Sequence, residues 1–296
     1  MAPAFAFFAA CCWGTSAILV RLGLQHMRST TGTFLSLSVS FVLIMALTLV
    51  LDIDSLVAIP AIAFGWIALQ GVLNFVVGRF LNMTGVSLAG ASRVTPIVAV
   101  SPLFAATLAF FFLGERPTPP LIAGTLCIVA AIVLIVSQGL RDAGQQVGGG
   151  KGVLIGCLLA LCAALGYGAN NVVSKEVVTN YTTPLVASSI ALLFGAIYLF
   201  PIAFRSLPEL ARVPRREVGF IALSGIGQGL GVASMMTALS KAPVVVVSPI
   251  GSMNPLIALV LPHLFLGRME RITPRIVVGT LLAISGVALV ILGRNL

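Results

Sequence analysis

Asn74, Arg79, Ser101, Tyr167, Asn170, Asn171, Gln228, Ser252 and Asn254 are polar residues set deep inside long apolar runs. A polar group in lipid costs free energy unless it faces a cavity or a partner, so these positions are the candidates for a substrate-binding site. Their chemistry is recognition. The amides and hydroxyls suit a zwitterion or another polar metabolite. Arg79 is the one charge well inside a run, and its guanidinium suits a carboxylate or phosphate. Its structural alternative is snorkelling, because its segment is expected to end near residue 83.

Other chemistries lack their residues. Catalysis needs a nucleophile beside a base, or paired acids. Asp52, Asp54 and Asp142 fall in polar connections and no Gly-x-Ser-x-Gly occurs, so the chain is not read as an enzyme. Cys11, Cys12, Cys127, Cys157 and Cys162 lie within apolar segments, form no Cys-x-x-Cys pair and have two histidines to join them. They read as apolar packing groups, and neither metal nor cofactor is expected. His263, near a segment end, reads as an interfacial hydrogen-bonding group rather than a proton relay. Gly225, Gly227, Gly229 and Gly231 follow no strand and read as a close helix-packing face. Gly150-Lys151 is no Walker loop, because Gln145 and Gly152 break the pattern. Glu115 and Glu270, beside Arg116 and Arg271, read as interfacial ion pairs.

The elements that must hold the candidates are membrane helices. The chain is 59% hydrophobic and 8% charged, with mean hydropathy +1.13, whereas a soluble surface needs about 25% charged residues. Runs of about 20 apolar residues cross the bilayer core as helices. That length fits ten segments: 3–20, 32–51, 62–83, 93–113, 120–138, 152–174, 184–204, 218–239, 244–266 and 275–293. The first lacks the basic n-region of a signal peptide and is read as a retained helix. The polar stretch 139–151, with Gly148-Gly149-Gly150, reads as a linker. Most of the Lys and Arg behind the net charge of +9 sit at segment ends, where they meet headgroups. No aromatic-rich basic module accompanies them, so nucleic-acid binding is excluded.

The two sides of the linker repeat. At an offset of 153, Gly78 aligns with Gly231, Met83-Thr84 with Met236-Thr237, Pro96 with Pro249 and Pro102 with Pro255. After a two-residue insertion, Glu115-Arg116 aligns with Glu270-Arg271 and Gly124 with Gly279. Trp13-Gly14 aligns with Tyr167-Gly168. The repeated prolines free backbone carbonyls a turn earlier, toward a cavity or a packing kink. Five segments is an odd number, so a second copy must enter the membrane upside down. The expected fold is an all-α membrane protein of ten transmembrane helices, built as two inverted five-helix repeats over 1–138 and 152–296. Such repeats place the substrate between them near the midplane, in a central cavity.

The doubled pattern resembles the EamA-type members of the drug/metabolite transporter superfamily. It rests on Ala91-Ser92-Arg93-Val94-Thr95-Pro96, the Leu113-Gly114-Glu115 turn, Gly124, their second copy from Val244, and Trp13-Gly14 in the first helix. The second copy departs at Arg268, which stands where the first has Glu115, and acidic Asp52 and Asp54 stand where relatives often carry basic residues. The resemblance implies a multi-pass protein of the inner (cytoplasmic) membrane, a monomer or weak homodimer, exporting or exchanging small polar metabolites such as amino acids. Trp13 joins the substrate-binding candidates through it. The expected mechanism is secondary transport by alternating access, with a channel as the alternative. No acid falls in mid-segment, so coupling through a buried carboxylate is not expected. The resemblance also implies termini inside the cytoplasm. The basic residues point the other way: of 17 Lys and Arg, 12 lie after odd-numbered segments, while Arg116, Lys175, Lys241 and Arg294 lie on the opposite face.

Overall fold

The computed structural model describes residues 1–89, 94, 97–141, 150–258 and 274–293. Pro96, Asp142 and the middle of the linker, His263, and the Glu270–Arg271 pair lie outside the described residues. Every described element is helical. In chain order they are α1 (Ala2–Gly23), α2 (Ser29–Leu51), α3 (Ile53–Val57) and α4 (Ala61–Gly71). A π-helix (Val72–Phe80), α5 (Leu81–Ala89), α6 (Ser101–Leu113) and α7 (Pro119–Arg141) follow. Then come α8 (Gly150–Asn180), α9 (Pro184–Ala203), a 3-10 turn (Leu207–Arg212), α10 (Arg215–Lys241), α11 (Val244–Gly251) and α12 (Pro274–Gly293).

Six helical runs among the described residues are long and apolar enough to cross a membrane: Ala2–Val20, Ser29–Leu51, Ala61–Val86, Lys151–Asn180, Pro184–Ala203 and Arg215–Lys241. Four shorter apolar helices, Ser101–Leu113, Pro119–Leu134, Val244–Ala258 and Leu281–Gly293, fall on the remaining expected segments. Their outward residues are large and apolar: Val42 is 64% exposed, Phe112 75% and Leu281 62%. The buried groups include small hydroxyls, among them Ser16, Ser36, Ser40, Ser188 and Ser224. This distribution suits helices whose outer solvent is lipid and whose contacts are made through small residues.

The chain forms two compact units, and each draws on both sides of the linker. Unit 1 is Met1–Val72 with Val173–Lys241, and unit 2 is Leu73–Val172 with Ala242–Leu296.

In unit 1, α10 packs on α1, α2 and α9, while α9 also packs on α2 and α4. The alternating glycines of α10 make this possible. Gly225 and Gly229 face α2, where an added Cβ would lie 2.5 Å from the Ser36 carbonyl oxygen and 3.1 Å from Ile44. Gly227 and Gly231 face α1, with a Cβ 2.5 Å from Ser16 Oγ and from Trp13 Nε1. Spacing by four residues keeps each pair on one helix face. Ser16 Oγ then donates to the Ser224 carbonyl (3.0 Å) and Ser40 Oγ to the Gly225 carbonyl (2.6 Å).

The ends of these helices are tied in matched sets. At one end His26 meets Glu217 (2.6 Å), and Glu209 accepts from the Arg28 backbone (3.0 Å) and the Thr31 hydroxyl (2.5 Å). At the other, Thr183 caps α9 and donates to Asp52, and Lys175 Nζ donates to the Leu239 carbonyl at 2.7 Å.

In unit 2, α7 packs on α12 through a glycine pair, with Gly124 and Gly286 each within 3.0 Å of the other's carbonyl oxygen once given a Cβ. The α11 helix packs on α6, α7 and α12. Gly114 ends α6 in the left-handed conformation, at φ 67°. The turn delivers Glu115 to the start of α11, where its two oxygens accept from the backbone N–H groups of Val244 (2.8 Å) and Val245 (3.1 Å). This corrects the expected Glu115–Arg116 pair. A carboxylate at a helix N-terminus satisfies otherwise orphaned N–H groups and meets the positive end of the helix dipole. An ion pair among the described residues is Arg28–Glu209 (3.5 Å).

Candidate functional site

The third segment is longer than expected. Helical structure runs from Ala61 through the π-helix to Ala89, so Arg79 lies ten residues before the end, about 15 Å along the axis. The expected end near residue 83, and with it a short snorkelling path, does not hold. The π-helix itself holds Asn74, Gly78 and Arg79. Long π stretches are rare and concentrate at functional sites.

Against this segment lies α8, brought close by Gly166 and Gly168. A Cβ on Gly166 would lie 2.7 Å from Val77, and one on Gly168 2.8 Å from the Ala105 backbone nitrogen. The ring of Tyr167, between them, is seated on Gly78, whose added Cβ would fall 2.5 Å from the ring. The Tyr167 hydroxyl hydrogen-bonds the Asn82 side chain and interacts electrostatically with Arg79. One turn further along α8, Asn171 Nδ2 donates to Ser248 Oγ of α11 at 2.9 Å. Residues four apart share a helix face, so Tyr167 and Asn171 form one polar stripe.

Unit 2 thus gathers Arg79, Tyr167 and Asn171, and adds Asn82 and Ser248, which sequence reasoning missed. Asn82 stands one residue before the expected segment end at 83, and Ser248 precedes Pro249 as Ser101 precedes Pro102, the signal that could have found it. Asn74 and Asn170 are partly buried in the same two elements. Ser252 Oγ donates to the Pro249 carbonyl of its own helix (2.8 Å), and Asn254 is partly buried two residues on. Ser101 opens α6 and presents its carbonyl to Gly168, with 3.0 Å to an added Cβ.

Trp13 and Gln228 belong to unit 1. The Trp13 indole is seated on Gly231 of α10, and Gln228 lies three residues away, partly buried. Gln70, also in unit 1, is 3% exposed and its side-chain oxygen accepts no hydrogen bond among the described residues. It carried the same signal as Gln228, a polar group inside an apolar run. A hollow of about 290 Å³ in unit 2 is lined by Leu103, Phe110, Leu121 and Val245 among others, and by none of the ten candidates. Among the described residues no group of three His, Cys, Asp or Glu converges as a metal site.

The EamA-like transporter family model matches residues 1–137 and 154–292. A probable terminal-alkyne amino-acid exporter of Streptantibioticus cattleyicolor is 27% identical over 208 residues. That alignment covers 68% of this chain and 64% of the exporter, so it spans less than two thirds of that relative's length. An uncharacterized transporter of Clostridium kluyveri is 25% identical over 224 residues, 75% of this chain and 70% of that one. A solved crystal structure superposes with TM-score 0.81 at 18% identity, over 99% of this chain and 97% of the other, which establishes likeness of fold.

Proposed function

The chain belongs to the EamA-like transporter family and is a multi-pass membrane protein, and on that premise we propose that it is a secondary carrier exporting or exchanging small polar metabolites of the amino-acid class. The observation that carries this reading is the polar stripe of Tyr167 and Asn171 on α8, with Arg79 of the π-helix interacting with Tyr167, in unit 2. Such groups in a bilayer mark a solute path. The substrate class draws on the name of the Streptantibioticus relative.

The carrier is read as ten crossings in two inverted copies, 1–138 and 152–296, in the cytoplasmic membrane. The helix-end contacts support this. His26–Glu217 and Thr31–Glu209 join connections after the first and seventh segments. Asp52–Thr183 joins those after the second and sixth, and Glu115–Val244 those after the fourth and eighth. Thr118 Oγ1 donates to the Gly293 carbonyl at 3.0 Å, joining the start of α7 to the end of α12. Each pair has like parity, as alternating crossings require. The aromatic seats support the inversion: Trp13 on Gly231 and Tyr167 on Gly78 are the same pairing with the copies exchanged.

The mechanism is read as alternating access by rocking of the two inverted copies. Coupling through a mid-membrane carboxylate is not part of the mechanism, since Asp52, Glu115, Glu176, Glu209 and Glu217 make their contacts near helix ends. Besides the stripe, the site residues proposed in unit 2 are Asn74, Ser101, Asn170, Ser252 and Asn254; Trp13 and Gln228 are proposed as substrate contacts within unit 1.

Counterflow in proteoliposomes tests the function. Liposomes loaded with one neutral L-amino acid at millimolar concentration should accumulate labelled solute transiently and saturably, without ATP or an imposed pH gradient. Non-saturable flux would mean a channel, and uptake strictly dependent on a pH gradient would overturn the uncoupled mechanism.

A further inference from the structure

We propose that unit 2 holds a carboxylate-recognition site, built by Arg79, Tyr167 and Asn82, which makes a single carboxylate on the solute the specificity determinant. This deepens the transporter reading and rests on it.

What the two copies share is scaffold: the aromatic seated on glycine recurs in both. The unshared features are therefore the informative ones, and two coincide here. At the offset of 153, Arg79 and Asn82 correspond to Val232 and Met235. The π-helix Val72–Phe80 corresponds to 225–233, which is ordinary helix within α10. One copy has thus exchanged apolar groups for a guanidinium and an amide, and regular helix for a rare winding, at the same place. Both changes carry a free-energy cost in the bilayer that a merely structural segment does not need.

The stereochemistry selects the ligand. A guanidinium is planar, always charged and able to donate two parallel hydrogen bonds to a carboxylate. The Tyr167 hydroxyl and the Asn82 amide, bonded to each other beside it, add neutral polar contacts at the edge of the same group. Among the described residues of unit 2, Arg79 is the one Lys or Arg far from a helix end, so these groups supply a single positive charge. That matches a carboxylate and would leave a phosphate monoester, near −2, under-neutralised at low dielectric. One helical turn away, about 5.4 Å, Asn171 gives its amide proton to Ser248 and so turns its side-chain oxygen to accepting. An ammonium group next to the bound carboxylate would find its acceptor there, which favours α-amino acids over simple acids.

The test uses the full chain in proteoliposomes. Counterflow is measured for a panel of neutral L-amino acids, the α-carboxamide of each and the corresponding decarboxylated amine, in wild type, Arg79→Gln, Arg79→Lys and Tyr167→Phe. The expected result is a wild-type half-saturation at least about tenfold higher for each carboxamide than for its acid. Arg79→Gln should abolish that difference, and Tyr167→Phe should reduce it. If Arg79→Gln does not fold, Arg79→Lys retains the charge without the planar fork and should show a smaller preference of the same sign. Equal handling of acid and carboxamide by wild type would overturn the inference and leave the transporter reading standing, as would an unchanged preference in the Arg79 variants. Saturable exchange of no member of the panel would overturn both.

Discussion

Replacing Glu115 tests whether a side chain between two helices sets the start of a third. Its carboxylate accepts two backbone N–H groups of α11, at 2.8 and 3.1 Å, and is partly buried. Loss of a capping acceptor costs about 1 kcal/mol per helix terminus, and up to about 2 in tightly held caps. Here two donors are stranded, and a favourable charge–dipole contact of about 0.3–1 kcal/mol goes with them. Glu115→Ala should therefore destabilise by about 2–4 kcal/mol. Glu115→Gln keeps one good acceptor and loses the charge, which makes about 1–2 kcal/mol. At about 2–4 °C per kcal/mol for a chain of this size, the alanine variant should unfold roughly 5–10 °C below wild type in detergent, with glutamine about midway. Thermal unfolding followed by a thiol-reactive dye on the native cysteines reads this directly. If the true partner is Arg116, then Arg116→Ala should match Glu115→Ala, and glutamine should be no better than alanine. Either result would refute the capping account.

Other outcomes follow from the same geometry. Gly225→Val should cost at least about 1–3 kcal/mol, because even its Cβ would stand 2.5 Å from the Ser36 carbonyl, and thermal unfolding reads it; Gly219→Val, which has open space around it, should be near neutral. Gly78→Val and Gly231→Val should each unseat one aromatic ring, and both should lower the unfolding temperature. Thr183→Ala removes the α9 cap and the partner of Asp52, and should cost about 1 kcal/mol in the same assay. The double substitution Asn171→Ala, Gln228→Ala should leave folding intact and abolish counterflow; normal transport would remove both residues from the site.

Much of this was readable from residue types. Apolar runs of bilayer length placed the six long helices, because lipid allows few polar side chains on a helix and forces them together at the ends. The repeat aligns Trp13 with Tyr167 and Gly78 with Gly231, and the contacts cross these pairs: Trp13 lies on Gly231 and Tyr167 on Gly78. What escaped was non-local or had no signature. Glu115 looked like the partner of its sequence neighbour, whereas its oxygens serve Val244 and Val245, more than a hundred residues away. The π-helix leaves no mark in the spacing of apolar residues, so the expected third segment stops near residue 83, with Asn82 at its edge rather than inside it. The sixth segment runs on to Asn180 because Lys175 spends its charge on the Leu239 carbonyl and Glu176 bonds Asn180, which lets polar residues stay helical. Gln70 is different: its polarity inside an apolar run is legible in the sequence, like that of Gln228.

Accessibility of single cysteines across the membrane tests the inverted-copy arrangement most directly. With the five native cysteines replaced, cysteine would be placed at Asp54, Pro117 and Lys241, after even-numbered segments, and at His26, Lys151 and Arg205, after odd-numbered ones. Ten alternating crossings predict that the first three react with an impermeant maleimide from one face and the last three from the other. Labelling of Lys151→Cys from the same face as Asp54→Cys would give the first copy an even number of crossings and contradict the inversion.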